Sequence, residues 1–211
     1  MNFAWAKKEE KNTSLIAFFN GWGFDEDAVK HLSAQGFDVL ILFDYRDFDI
    51  DFRQFQFEKY EKKYLICWSM GVYVSSIFKS LFENFDKKIA INGTQKMIDD
   101  EFGIPKRIYN LTLCRFSEAG KEKFVKNMFN DNLEHSIKPK RSLGALRQEL
   151  ESLNNLVIND FLKFDKAIIS TEDKIVPSKN QINYWLNKTS TELLSSAHYP
   201  FNHFKEWKEL L

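Results

Sequence analysis

The 211-residue chain has only two cysteines, Cys67 and Cys114. Two thiols cannot build a disulfide framework, and this spacing matches no zinc-binding pattern, so no metal ligand set is expected. Long apolar runs are missing too. Stretches such as Leu15 to Phe19 and Val39 to Phe43 have strand length, far below the roughly 18–20 residues a membrane helix needs. Nor is there an excess of charge of one sign. The 30 Lys and Arg balance the 30 Asp and Glu, so no global field favours nucleic acid or an anionic membrane surface. The first residues are apolar and charge follows from Lys7 to Lys11, the reverse of a secretory signal. A cytoplasmic location is the expectation. No internal repeat or low-complexity segment is visible.

What remains is enough for one domain with a sizeable core, since 44% of residues are apolar. The 21 phenylalanines, with many Lys, Asn and Ile, read as the drift of an AT-rich genome and say little about function.

Short apolar runs alternate with helical patterns. Ser14 to Asn20, closed by Gly21 and Gly23, reads as a buried strand. Asp25 can cap a helix from about Glu26 to Ala34, and Phe37 to Phe43 forms a second strand. Residues 44–62 fit neither period and predict a loop with at most a short helix. Tyr64 to Trp68 is a third strand, followed by a helix from about Val72 to Phe85. Lys88 to Asn92, Lys166 to Ser170 and Glu192 to Ser195 supply three more strands. Helices near Lys179 to Leu186 and Asn202 to Leu210 complete the order. Such alternation predicts an α/β fold with a mostly parallel sheet covered on both faces. Residues 2–6 could add an antiparallel edge strand.

The alternation stops between Thr94 and Phe164. Glu118 to Asn130 predicts a helix with Phe124, Met128 and Phe129 inward. Leu143, Leu146, Leu150, Leu153 and Val157 form one apolar stripe on another. The expected organisation is a core of residues 1–93 and 165–211 with a helical lid at 94–164.

In this architecture, chemistry sits at the carboxyl ends of the strands. There the third strand runs into Cys67-Trp68-Ser69-Met70-Gly71. A nucleophile elbow is usually Gly-x-Ser-x-Gly, because the sharp turn presses its flanking residues against backbone. Gly71 fits, and Cys67 departs from the pattern with a small side chain. Ser69 could equally be a serine capping a helix. As a last strand residue Cys67 should point into the sheet flank, which makes it a weak rival nucleophile. The first strand ends Asn20-Gly21-Trp22-Gly23, and in serine hydrolases of this class that loop donates one oxyanion N–H while the residue after the nucleophile donates the other. These map onto Trp22 and Met70.

The acid must come later in the chain and at a strand end. Asp173 fits, with Glu172 and Asp165 as rivals, although Asp165 precedes its strand and belongs to the wrong edge. Among four histidines, His31 and His135 read as surface. His198 follows the last strand in a loop at the carboxyl edge and is favoured as base over His203. The order Ser69, Asp173, His198 is that of the α/β-hydrolases, and such chemistry requires no cofactor.

With those residues in view, the chain resembles the pimeloyl-[acyl-carrier-protein] methyl ester esterases of biotin synthesis. The matching stretches are Asn20-Gly-Trp-Gly, Phe43-Asp-Tyr-Arg-Asp, Trp68-Ser-Met-Gly-Val, Gly103-Ile-Pro, Asp173-Lys-Ile-Val-Pro and Ala197-His-Tyr-Pro-Phe. Asn20 stands where larger relatives have His, and Cys67 where they have Gly. The resemblance implies hydrolysis of the methyl ester of a pimeloyl chain carried on acyl carrier protein. The residues alone imply only an ester or thioester. A thioesterase or short-chain carboxylesterase on the same machinery remains an alternative, as does a catalytically silent binding protein. The stretch Phe43 to Asp47 could hold loops near the site through ion pairs, or form a solvated turn.

Charge is unevenly spread despite its overall balance. From Lys96 to Arg147 there are eleven Lys or Arg against seven Asp or Glu. Acyl carrier proteins are acidic, so Arg107, Lys138, Lys140 and Arg141 are the expected docking residues.

Overall fold

Seven strands form one sheet in the computed structural model, which describes residues 1–134 and 136–211. They are β1 (Asn2–Lys7), β2 (Ser14–Phe19), β3 (Asp38–Phe43), β4 (Lys62–Trp68), β5 (Lys87–Ile91), β6 (Lys166–Ser170) and β7 (Ser190–Leu194). Their order is β1-β3-β2-β4-β5-β6-β7. All neighbours pair in parallel except β1, which runs antiparallel to β3 as an edge strand. The strand that ends at Ser69 is therefore central.

Period-two alternation sends successive side chains to opposite faces, and the core divides accordingly. Leu15, Ala17 and Phe19 join Leu65 and Cys67 on one face. Ile16 and Phe18 join Ile66 and Trp68 on the other. Both faces are buried, as the continuous apolar runs imply for a parallel sheet.

Three of the expected helices are shortened or broken. After β4 come α1 (Met70–Val74), a 3₁₀ turn at Ser75–Phe78 and α2 (Lys79–Phe82), where one helix was expected from Val72 to Phe85. Ser75 Oγ donates to Val72 O at 3.1 Å, a side-chain bond that competes with the regular helix ladder. The helix expected over Glu26 to Ala34 is a single 3₁₀ turn, Glu26–Val29. Ser33 N–H instead donates to Lys205 O, and Ser33 O accepts from Trp207 N–H. The same bridge splits the expected closing helix into two 3₁₀ turns, Phe201–His203 and Trp207–Leu210. Residues 44–61 form a loop with two short 3₁₀ turns, and Lys62, read as loop, already belongs to β4. Its phenylalanines pack as an irregular aromatic cluster on α2 and the 3₁₀ turn before it, with Phe52 to Phe78 at 4.9 Å and Phe57 to Phe82 at 6.1 Å.

Between β5 and β6 lie α3 (Lys106–Arg115), α4 (Glu118–Met128) and α5 (Leu143–Asn155), followed after β6 by α6 (Ser178–Trp185). Ser117 caps α4 and Ser142 caps α5 through their side chains. Leu146, Leu150 and Leu153 are buried as the stripe predicts, and Phe129 and Met128 point inward. Val157 lies beyond the end of α5 and is 78% exposed, so it is not part of the stripe. His135 lies outside the described residues. Among the described residues, no helix is long and apolar enough to cross a membrane, and no cluster of three metal-ligating side chains occurs.

Candidate active site

β4 delivers Ser69 to the carboxyl edge of the sheet, immediately before α1. Ser69 has φ 55° and ψ −123°, an unusual conformation for a residue with a side chain and of the kind concentrated at functional sites. Ser69 makes no capping bond to α1, so the simple N-cap role does not describe it. Its N–H donates to Ile91 O at 2.8 Å. Two glycines make the turn possible. A Cβ on Gly71 would strike the Phe19 and Asn20 carbonyls, and one on Gly93 would strike the Ser69 carbonyl oxygen.

Gly93→Ala is accordingly expected to destabilise the fold by about 1–3 kcal/mol, the usual cost of overpacking, and to lower turnover by displacing Ser69. Thermal denaturation and ester hydrolysis measured together test this. Wild-type values for both would show that the turn has room to spare.

Loops following β6 and β7 bring the partners. His198 Nε2 lies 2.9 Å from Ser69 Oγ, and its Nδ1 lies 2.7 Å from Asp173 Oδ2. With Asp173 ionised, Nδ1 carries the proton and Nε2 is left to accept from the serine hydroxyl. All three side chains are buried. Asp173 is fixed by further donors: Ile175 N–H and Val176 N–H reach Oδ1 at 2.8 and 2.9 Å, and Gln181 Nε2 reaches Oδ2 at 2.9 Å. The His198 carbonyl accepts from Trp68 Nε1 at 3.1 Å and from Asn92 Nδ2 at 2.9 Å, which sets the loop's height above the sheet.

The rivals lie elsewhere. Glu172 is exposed and accepts from Ser195 Oγ, while Asp165 binds Lys88 at the opposite edge of the sheet. His31 and His203 are exposed. Cys67 is fully buried, and burial pushes its thiol well above the usual range, far from the thiolate a nucleophile needs.

Trp22, Trp68, Ser69, Met70, Phe124 and Met128 line one narrow space, with a cavity volume of only about 10 Å³, that His198 also faces. Met70 opens α1, so its N–H has no intrahelical acceptor. Trp22 N–H has no acceptor among the described residues. Asn20 shapes this loop: its Oδ1 accepts from Gly21 N–H at 2.9 Å and its Nδ2 donates to Asp25 O at 2.7 Å. From the inserted segment, Trp22 Nε1 reaches Leu146 O at 3.0 Å, and the Trp22 ring meets Phe116 and Phe124 edge-on.

Gln181, Asn92 and Glu149 were invisible as site residues in the sequence. Glu149 is fully buried on α5 and binds Gly23 N–H, Tyr45 N–H and Arg141. Burial pushes its carboxyl above the usual range, while Arg141 and the Tyr45 N–H pull it back. The one available signal was a charge inside the apolar arc of α5, at the position between Leu146 and Leu150.

The four expected docking cations separate into two groups. Arg107 and Lys138 are exposed and make no ion pair among the described residues. Lys140 pairs with Asp25 and Asp27. Arg141 is only 16% exposed and bridges Asp44 and Glu149, both at 2.6 Å. It is therefore an internal tie between the inserted segment and the core, not a free surface cation. The loop Phe43 to Asp47 belongs to the same tie. Arg46 grips Asp44 at 2.8 and 2.7 Å, and although burial opposes ionisation, Arg46 and Arg141 together lower the Asp44 pKa.

A central parallel sheet, a strained serine at its carboxyl edge and a histidine from the last loop define an α/β-hydrolase. The solved naproxen esterase (carboxylesterase NP) of Bacillus subtilis has this fold, with a TM-score of 0.57 and 13% identity over 90% of this chain and 79% of its own. More particularly, the chain belongs to the family described as pimeloyl-ACP methyl esterase BioG, whose profile matches residues 4–210. The crystal structure of BioG from Haemophilus influenzae superposes with a TM-score of 0.85 and 29% identity, covering 100% of this chain and 99% of that one. An uncharacterized protein of Haemophilus influenzae is 32% identical over 205 residues, 93% of each chain. The chain is thus an esterase of biotin synthesis acting on the methyl ester of pimeloyl-ACP.

Proposed function

We propose that Ser69, His198 and Asp173 perform this hydrolysis as a serine-esterase triad. The observation that carries the reading is the continuous hydrogen-bond chain from Asp173 through His198 to Ser69 Oγ. His198 takes the Ser69 proton as Oγ attacks the methyl ester carbonyl. The N–H groups of Trp22 and Met70 stabilise the oxyanion, worth roughly 3–4 kcal/mol per donor where it has been measured. The tetrahedral intermediate collapses as His198 returns the proton to methoxide, and methanol leaves. Water, activated by the same histidine, then cleaves the acyl-enzyme to release free pimeloyl carboxylate on its carrier. Asp173 orients the imidazole and balances the imidazolium charge.

Residues 94–164 act in this reading as a lid. Phe124 and Met128 of α4 line the narrow space beside Ser69, which supports a covering role. The substrate test is direct. The purified protein should release methanol from the carrier-bound pimeloyl methyl ester while leaving the carrier thioester intact. Preferential thioester cleavage would favour the thioesterase alternative.

The acidic carrier protein docks, in this reading, through the exposed cations Arg107 and Lys138. Ionic screening shortens from about 8 Å at physiological salt to about 3 Å at 1 M. Rising salt should lower kcat/KM for the carrier-bound ester and scarcely affect a small neutral methyl ester. Arg107→Glu and Lys138→Glu should each cost about two- to fivefold for the carrier-bound ester alone, the worth of an exposed ion pair. Arg141→Glu should impair both substrates, because it breaks the tie between lid and core. Equal salt effects on both esters would place docking elsewhere.

A further inference from the structure

Glu149 takes no part in the Ser69, His198 and Asp173 chain, yet it is a fully buried carboxylate on a helix whose neighbouring inward positions are leucines. Burying a charge is costly unless it is paired and hydrogen-bonded on every side. Here it is. One oxygen accepts Tyr45 N–H at 2.8 Å. The other accepts Gly23 N–H at 3.2 Å and Arg141 Nη2 at 2.6 Å. Donors on both oxygens match the carboxylate form.

Gly23 is the residue after Trp22, so Glu149 fixes the plane of the peptide that leaves Trp22. Three positions earlier on the same helix face, Leu146 O accepts from Trp22 Nε1 at 3.0 Å. On the other side, Asn20 Oδ1 holds Gly21 N–H. The peptide that carries Trp22 N–H thus sits between two anchored peptides, and its own N–H is left without an acceptor among the described residues. Gly23 has φ +86°, a conformation that side chains disfavour, so the turn needs an external hold. A leucine in place of Glu149 could fill the volume but could not hold an N–H.

We infer that Glu149 of the lid is a positioning residue for the oxyanion loop, keeping the Trp22 N–H aligned with the carbonyl that Ser69 attacks. This rests on the assignment of Ser69 and Trp22 above. Its consequence is that the donor geometry exists only while α5 is seated on the core, which ties catalytic competence to the lid.

Glu149→Gln preserves size but turns one acceptor oxygen into an NH₂ that faces a donor. Turnover is read with p-nitrophenyl butyrate. Affinity is read with butylboronic acid, which adds to a serine Oγ as a tetrahedral anion. Removing one oxyanion donor outright costs about 10²–10³ in kcat; misaligning one should cost about 10- to 100-fold. The expected result is that loss in kcat, KM within about threefold, and a parallel loss of boronic acid affinity. Glu149→Asp keeps the charge for Arg141 but withdraws it from the loop, and should show the same parallel losses should Glu149→Gln fail to fold. A folded variant of either kind with kcat and boronic acid affinity intact overturns the inference. So does a loss of kcat with unchanged boronic acid affinity. Ser69→Ala serves as the control. If it binds butylboronic acid as well as wild type does, the assignment of the nucleophile itself has failed, a result distinct from a silent Glu149.

Discussion

Ser69→Ala is expected to lower kcat for the methyl ester by about 10⁴–10⁶-fold while the fold and melting temperature barely change. The size follows if the proposed triad acts as a unit, because losing its nucleophile then removes nearly all that the three residues contribute together. The small effect on stability follows from the structure. Ser69 Oγ caps no helix N–H, and its one side-chain partner among the described residues is His198 Nε2. Alanine also keeps a Cβ at the same strained backbone position, so that strain is neither relieved nor increased. Turnover by the purified variant and its thermal denaturation are the two measurements. More than a tenth of wild-type turnover would show that another group is the nucleophile.

The second large effect separates two histidines five residues apart. His198→Ala should abolish measurable turnover, a loss of the same order as Ser69→Ala, and His203→Ala should retain most of it. His198 is buried between Asp173 and Ser69, whereas His203 is exposed at the end of a 3₁₀ turn. Truncating a buried ring leaves a cavity, so a stability measurement must accompany the rate. Asp173 would still hold the Ile175 N–H, Val176 N–H and Gln181 donors, which limits the electrostatic cost. The reverse pattern of activity would move the base to His203.

Strand positions were readable because a doubly covered parallel sheet writes itself as short, wholly apolar runs. The observed ends of β2 through β6 differ from the sequence reading by two residues at most. The ends of β7 were read equally closely, although as an exposed edge strand it is largely polar: Ser190-Thr191-Glu192-Leu193-Leu194. Three helix lengths misled instead. Glu26 to Ala34 has an amphipathic pattern, but Ser33 gives its backbone groups to Lys205 and Trp207, some 170 residues away. A local period cannot report a long-range competitor for the same hydrogen bonds.

The sequence by itself determined the sheet and the strand-to-helix turn at Ser69, and it set Ser69, Asp173 and His198 just past successive strand ends. Each is a local signal: a run of apolar residues, a turn flanked by small residues, a polar residue just past a strand. Only the tertiary structure decided which carboxylate meets His198, because Glu172 and Asp173 are adjacent in sequence and differ only in direction. It alone revealed Gln181 behind Asp173, Asn92 beneath His198 and Glu149 behind the Trp22 loop. It also took Arg141 out of the surface charge, since two carboxylates from distant segments converge on it. Pairings of this kind depend on where separate segments come to rest in space, and no spacing along the chain encodes that.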